Sequence, residues 1–202
     1  MKIGIIADIH ANPYGLDAVI QRLQSCEVIL CAGDITGYNT SVNEVFDILE
    51  EHNVIFIRGN HDEWLLRGYV GLFGSILGSS IEYTKETISE DNLAKLRRAP
   101  IFYTGQFGGL TIRMYHGSPW EPLRQYIDPD YMPFEKFEEI DADLIILGHT
   151  HIPFIRENVV NPGSCGISRD NDPRASYAFF ETDTSEITLG RVEYDMKQER
   201  IS

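Results

Sequence analysis

Five of the six histidines in this 202-residue chain stand in short clusters with aspartate, asparagine or glycine. These clusters and one further Gly-Asp pair each follow an apolar, strand-like run, so ligand-type side chains end several strands in turn. Imidazole and carboxylate groups are the usual ligands of borderline first-row metal ions. The segments are Asp8-Ile9-His10, Gly33-Asp34, Gly59-Asn60-His61-Asp62, His116-Gly117 and Gly148-His149-Thr150-His151.

The elements that must position these side chains alternate in the first half of the chain. Apolar runs predict strands near 2–7, 28–32 and 54–58, and apolar residues at helical spacing predict helices near 13–25 and 41–52. This βαβαβ order favours a parallel sheet with right-handed crossovers. Because the carboxyl ends of parallel strands share one edge, the ligand-type side chains can converge there. The layout predicts a dinuclear metal site and therefore a metal-dependent enzyme.

The second half predicts a second sheet, and residues 62–100 predict a broken helical cap over one edge of the core. One domain over residues 1–202 is the default for this length, although two small domains also fit. We therefore expect two packed sheets with helices outside. The predicted elements of the second half are strands near 101–104, 110–115, 144–147, 153–160, 176–182 and 186–194, and a short helix near 134–139.

Composition narrows the class of protein. The net charge of −14 and pI near 4.7 argue against a large basic surface for a nucleic-acid polymer. Neither an apolar run of 18 residues nor a signal-peptide pattern is present, which predicts a cytoplasmic protein without a membrane partner. The three cysteines match no zinc or redox spacing. The glycine-interrupted apolar stretch Tyr69–Leu77 is a candidate homodimer surface.

The clusters resemble, in order, the five blocks of the calcineurin-like metallophosphoesterase superfamily. The resemblance runs from residue 1 to about 170, and the stretches 33–38, 161–164 and 172–177 are similar to those of its small prokaryotic phosphoesterases. It implies an α/β fold, a four-layer α/β/β/α sandwich of two mixed sheets flanked by helices. It also implies hydrolysis of a phosphodiester or phosphomonoester by direct attack of a metal-bridging hydroxide, with the diester favoured.

Site roles follow from the resemblance position by position. Asp34 would bridge two divalent ions, with Mn²⁺, Fe²⁺ or Zn²⁺ suiting the mixed nitrogen and oxygen donors. His61 would act as the general acid, and Asp62 is expected to orient it. The remaining ligands would be Asp8, His10 and His151 for one ion, and Asn60, His116 and His149 for the other.

Two other functions stay open from the sequence. A catalytically silent scaffold of the same fold could bind a partner protein, although the presence of His61 speaks against it. A nuclease is also conceivable, but the acidic chain favours a small phosphoester substrate. Five further side chains are candidate substrate contacts without an assigned role: Arg58, Arg124, Arg169, Arg174 and Tyr38.

Overall fold

The computed structural model describes residues 1–68 and 76–195. The first half contains the alternating strands and helices that the sequence predicts, and the second half is mostly strands. The elements are β1 Lys2–Ile6, α1 Pro13–Arg22, β2 Val28–Cys31, α2 Val42–Glu51, β3 Ile55–Phe56, α3 Asn60–Arg67, α4 Ile76–Thr87, α5 Glu90–Arg98, β4 Phe102–Phe107, β5 Leu110–Tyr115, a 3₁₀ helix Phe134–Glu139, β6 Leu144–Ile146, β7 Phe154–Arg156, β8 Val159–Asn161, β9 Ala175–Glu181 and β10 Glu186–Val192.

The strands form two mixed five-stranded sheets. The first has the order β10-β9-β1-β2-β3, in which β1, β2 and β3 are parallel and β9 runs antiparallel to β1. The second has the order β4-β5-β6-β8-β7, in which β5, β6 and β8 are parallel and the two edge strands are antiparallel to their neighbours. The predicted pair of sheets is therefore confirmed.

Apolar side chains pack in three layers around these sheets. Ile5 and Leu30 of the first sheet meet Met114 and Ile146 of the second in a cluster between them. Helices α1 and α2 cover the outer face of the first sheet. A smaller cluster around Phe137 covers the outer face of the second sheet. The predicted sandwich is confirmed, but in the described residues its fourth layer is a 3₁₀ helix with loop segments and is thinner than the helical first layer.

The segment predicted as a cap packs beside α2. Ile81 of α4 and Leu96 of α5 are buried in the same cluster as the α2 side chains. The Asn43 side chain of α2 donates to the Thr87 carbonyl and accepts from the Ser89 backbone N–H. The described helices of this segment thus extend the helical layer on the first sheet. A single domain over the whole chain stays a prediction, as does the dimer surface, because residues 69–75 lie outside the described residues.

One predicted strand is wrong in its extent. The sequence predicts a continuous strand at 153–160, whereas β7 and β8 form an antiparallel hairpin in which Arg156 pairs with Val159. Glu157 at the turn has a φ of +52°, and such positive φ values suit the tight turns that join hairpin strands. A short apolar run interrupted by Arg156-Glu157-Asn158 carries little periodicity signal, so the turn is hidden in the sequence.

In the described parts of the chain, no helix is both long enough and apolar enough to span a bilayer.

The cluster between the sheets provides a stability test. Ile5 is fully buried there, so Ile5→Ala should lower the free energy of unfolding by about 2–5 kcal/mol through lost burial and a residual cavity. Ile155 lies exposed on β7, and Ile155→Ala should change it by less than about 1 kcal/mol. Urea unfolding followed by circular dichroism measures both. Equal losses in the two variants would contradict the assignment of this core.

Candidate metal centre

The turns after β1 and β2 hold their carboxylates in a left-handed backbone conformation. The φ angles of Asp8, His10 and Asp34 are +56°, +51° and +55°, and those of His149 and His151 after β6 are +70° and +61°. Such angles are uncommon outside glycine and cost on the order of 1–3 kcal/mol each. These five residues lie after strands of both sheets, and each belongs to a group of side chains that could hold a metal ion.

A first donor group consists of Asp8, His10 and His151. All three side chains are buried, and one ligand atom from each lies within 4.8 Å of the others. The Nε2 atoms of the two imidazoles are 3.1 Å apart, and the Asp8 Oδ1 atom lies 3.3 Å from His151 Nε2. Asp8 Oδ1 has no hydrogen-bond partner among the described residues, although it is buried.

A second donor group consists of Asp34, His116 and His149, with Asn60 beside it. His116 Nε2 lies 3.4 Å from Asp34 Oδ2 and 2.9 Å from Asn60 Oδ1. The same Asp34 Oδ2 atom is 3.8 Å from His10 Nε2 of the first group. Asp34 therefore stands between the two groups, which is the position that the sequence prediction gives it.

Backbone carbonyls fix which nitrogen each imidazole offers. A carbonyl oxygen only accepts, so the ring nitrogen beside it carries the proton and the other nitrogen is left for a ligand. His10, His116 and His151 bond carbonyls through Nδ1, whereas His149 does so through Nε2. The acceptors are the carbonyls of Thr36 at 3.1 Å, Ala32 at 2.8 Å, Ile167 at 2.5 Å and Arg124 at 3.1 Å, respectively.

This arrangement fits a cation. When both rings are neutral with Nδ1 protonated, the Nε2 lone pairs of His10 and His151 face each other at 3.1 Å, and two acceptors in contact repel unless a positive charge lies near them. Burial and the neighbouring His61 lower the pKa of His10 well below its usual value, so that ring is neutral near pH 7. Together with the unpartnered Asp8 Oδ1, these lone pairs form a donor set suited to a divalent ion.

Charge in the second group leads to the same conclusion. Burial lowers the pKa of His116, but the Asp34 carboxylate outweighs it and raises that pKa to about 9. Burial raises the pKa of Asp34, yet the facing imidazoles of His116 and His61 hold it well below its usual value. Burial and His116 lower the pKa of His149 to about 4. Asp34 is thus an ionised, buried carboxylate that attracts positive charge.

His61 lies in the first turn of α3, beside both donor groups. Its Nε2 atom lies 3.8 Å from Asp34 Oδ2, and its buried Nδ1 atom has no hydrogen-bond partner among the described residues. The ring packs on Tyr38 and Trp64, with centroids 4.9 Å away in each case. Gly37 lies so close that a Cβ atom there would be 2.4 Å from His61 Nδ1. Packing therefore orients this imidazole.

Among the described residues, the hydrogen bonds of Asp62 do not reach His61, so the orienting role that the sequence suggests stays a prediction. Its carboxylate accepts hydrogen bonds from the backbone N–H groups of Gly59, Ile35 and Thr36 and from the Thr36 hydroxyl. Burial and the charge of Asp34 raise its pKa to about 6. Asp62 ties the turn after β2 to the start of α3. Its position at the third residue of a helix, one turn inside the cap, is the sequence signal for that role.

The structure separates the four candidate arginines. Arg124 and Arg169 line a cavity of about 290 Å³ that contains the metal-ligand candidates Asp34, His149 and His151. The Arg58 guanidinium pairs with Glu63 at 3.0 Å. That of Arg174 pairs with Asp172 at 2.6 Å. Arg58 and Arg174 do not line this cavity.

Aromatic side chains complete the rim of the cavity. Tyr126 packs on the His149 ring with centroids 4.0 Å apart, and its hydroxyl accepts from Arg169 at 3.3 Å. Arg169 also donates to the Tyr38 hydroxyl at 3.3 Å. Sequence reasoning missed Trp64 and Tyr126. Trp64 could have been found from its i+3 spacing to His61, which places both on one face of α3.

Comparison with known proteins places the chain in a family. The profile of the calcineurin-like phosphoesterase superfamily domain matches residues 1–185. An uncharacterized protein of Methanocaldococcus jannaschii is 32% identical, with 97% of this chain and 89% of that protein covered. A probable metallophosphoesterase of Methanothermobacter thermautotrophicus is 28% identical over 86% of this chain and 82% of the relative.

A solved structure has a similar fold. The crystal structure of a metallophosphoesterase from Sphaerobacter thermophilus is similar with a TM-score of 0.82 and 30% identity, covering 97% of this chain and 90% of that one. The sequence resemblance, the two-sheet fold and the converging histidines and aspartates thus agree with an independent match over most of the chain. The chain belongs to the calcineurin-like phosphoesterase superfamily.

Proposed function

We propose that this protein is a dinuclear metal-dependent phosphoesterase that hydrolyses a small phosphodiester or phosphomonoester, with the diester favoured. The observation that carries the proposal is the position of Asp34 between two buried donor groups. One carboxylate with histidines on both sides suits two cations better than one. The mixed nitrogen and oxygen donors favour Mn²⁺, Fe²⁺ or Zn²⁺ over Mg²⁺ or Ca²⁺.

The protein's own residues would divide the work. Asp8, His10 and His151 would hold one ion, and Asn60, His116 and His149 the other, with Asp34 shared between them. When bound, such an ion pair lowers the pKa of an attacking water and neutralises charge on the phosphate. Arg124 and Arg169 line the same cavity and can donate to phosphate oxygens.

His61 would supply the proton for the leaving alcohol oxygen. Burial lowers its pKa, and the nearby Asp34 carboxylate opposes that shift only in part. Its ring lines the cavity, and packing against Tyr38 and Trp64 keeps it directed there without a competing hydrogen bond. A proton donor held by packing is free to transfer its proton to substrate.

The alternative function is a silent scaffold that keeps the fold and binds a partner protein. The strained backbone at the donor residues and the facing imidazole lone pairs are costly features without use in such a scaffold. These features favour the enzyme.

Metal removal is the first test of the proposal. Stripping with EDTA should abolish hydrolysis of bis-p-nitrophenyl phosphate and p-nitrophenyl phosphate, and adding Mn²⁺ back should restore it, because the donor groups lose their cations. The faster substrate separates diesterase from monoesterase. Absence of turnover of both substrates, with two ions per chain found by mass spectrometry of the metals, would favour the scaffold.

Asp34→Asn tests the bridging position. The variant should bind Mn²⁺ more weakly, because it removes the negative charge that both donor groups share. The loss of affinity should exceed about 10–100-fold, which is the loss typical of removing a residue that only supports a metal ligand. Asp47→Asn on the exposed side of α2 is the matched control. Metal content per chain and calorimetric titration measure the effect. Unchanged metal content in Asp34→Asn would remove Asp34 from the centre.

His61→Ala separates catalysis from metal binding. The variant should keep its metal content but lose turnover by about 10²–10⁴-fold, because the leaving oxygen no longer receives a proton. His52→Ala, at the exposed end of α2, is the control and should keep full turnover. The kcat for bis-p-nitrophenyl phosphate and the metal content are measured together. Full activity of His61→Ala would refute the proton-donor role.

A further inference from the structure

A second cavity adjoins the metal centre. It has a volume of about 440 Å³, within the range of small-molecule sites. Asn60, Trp64 and Arg124 line both this cavity and the one that contains the candidate metal ligands. A molecule with its phosphate at the metal centre can therefore extend into the second cavity past Trp64.

The walls of the second cavity differ in chemistry from those of the metal centre. Ile101, Pro122 and Leu123 contribute apolar surface, and α3 contributes the indole of Trp64. The metal cavity also has aromatic side chains on its wall, but of the two cavities it alone contains the candidate ligands Asp34, His149 and His151. The second cavity is thus suited to the organic part of an ester and not to its phosphate.

Two of the charges that line the second cavity, those of Glu63 and Arg67, are paired with each other. The Glu63 carboxylate accepts from the Arg67 side chain one turn further along α3, and it also pairs with the Arg58 guanidinium at 3.0 Å. Glu121 and Arg124 also line the cavity, so its lining contains equal numbers of acidic and basic side chains. The charges of the lining therefore balance, which suits an uncharged group.

We propose that the second cavity binds a planar aromatic substituent of the substrate, such as a phenyl ring or a nucleobase, beside Trp64. The inference rests on the proposed function and narrows its substrate class to aromatic or nucleoside phosphoesters. Its physical basis is burial of an uncharged ring against apolar walls, one of which contains the Trp64 side chain.

Phosphonates test the proposal without turnover, because their carbon–phosphorus bond is not an ester bond. Titration calorimetry on the Mn²⁺-loaded protein compares phenylphosphonate with methylphosphonate, which differ in the ring alone. Phenylphosphonate should bind about 10-fold tighter or more, since partial burial of a ring is sufficient for that gain. Cyclohexylphosphonate, which is apolar but not planar, should bind more weakly than phenylphosphonate. An adenine-bearing phosphonate that binds tighter than phenylphosphonate would assign the cavity to nucleosides, and one that binds more weakly would assign it to aryl esters.

Two variants place the effect in the cavity. Leu123→Trp should fill it and lower the affinity for phenylphosphonate to that for methylphosphonate. Ile101→Trp, from another wall, should do the same and provides a second test if the first variant folds poorly. Ile155→Trp on the exposed face of β7 is the matched control and should keep the preference.

The outcomes separate this inference from the proposed function. Equal affinity of the wild type for phenylphosphonate and methylphosphonate overturns it, as does a preference that survives both filling variants. Cyclohexylphosphonate that binds as tightly as phenylphosphonate refutes the planar preference. If these results occur while metal-dependent hydrolysis of bis-p-nitrophenyl phosphate persists, only the second cavity is misassigned. If the metal-loaded protein hydrolyses neither nitrophenyl ester, the proposed function itself fails.

Discussion

The buried carboxylate of Asp34 is the constraint around which this edge of the sandwich is built. It lies within 3.8 Å of ring nitrogens from His10, His61 and His116, which come from three different segments of the chain. An ionised group in a buried site is unfavourable unless opposite charge surrounds it. The raised pKa of His116 shows the protein supplying that charge with a proton. A cation in the same place would supply it permanently.

The surroundings of Asp34 are organised mainly by the backbone. Gly59 approaches so closely that a Cβ atom there would lie 2.1 Å from Asp34 Oδ1. The backbone N–H of His61 donates to that oxygen at 2.9 Å. Asp62 in turn binds the turn that carries Asp34. These contacts join β2 to α3, so the helix that carries the candidate proton donor is fixed relative to the donor groups. Rigid support of this kind is what a precisely placed site needs.

The two cavities share walls but divide the chemistry between them. Histidines and aspartates converge where phosphate would bind, whereas Ile101 and Leu123 line only the second cavity. The net charge of −14 does not prevent an anion from binding, because the charge that matters is local and bound cations would change its sign. The net charge of the whole chain affects the binding of long polymers, whereas the charges that line a cavity affect the binding of small substrates.

The sequence by itself determined the order of strands and helices in the first half, the presence of a second sheet and the segments that carry ligand-type residues. Those features depend on local periodicity and on residue types, which are visible without coordinates. It failed at the hairpin turn around Glu157, and it does not reveal that Asp62 binds the turn after β2. Local helix propensity does not distinguish an aspartate that binds a distant turn from one that positions the neighbouring side chain.

Only the tertiary structure decided which nitrogen each imidazole offers to a ligand. The carbonyls that accept from the other nitrogen are distant in the sequence from the histidines they bind, and they belong to Thr36, Ala32, Ile167 and Arg124. It also decided which arginines reach the site and that Trp64 separates two cavities. These are long-range contacts, which the residue types and local periodicity of a single sequence do not reveal. What the chain encodes locally is the set of ligands, and what packing of the two sheets adds is their geometry.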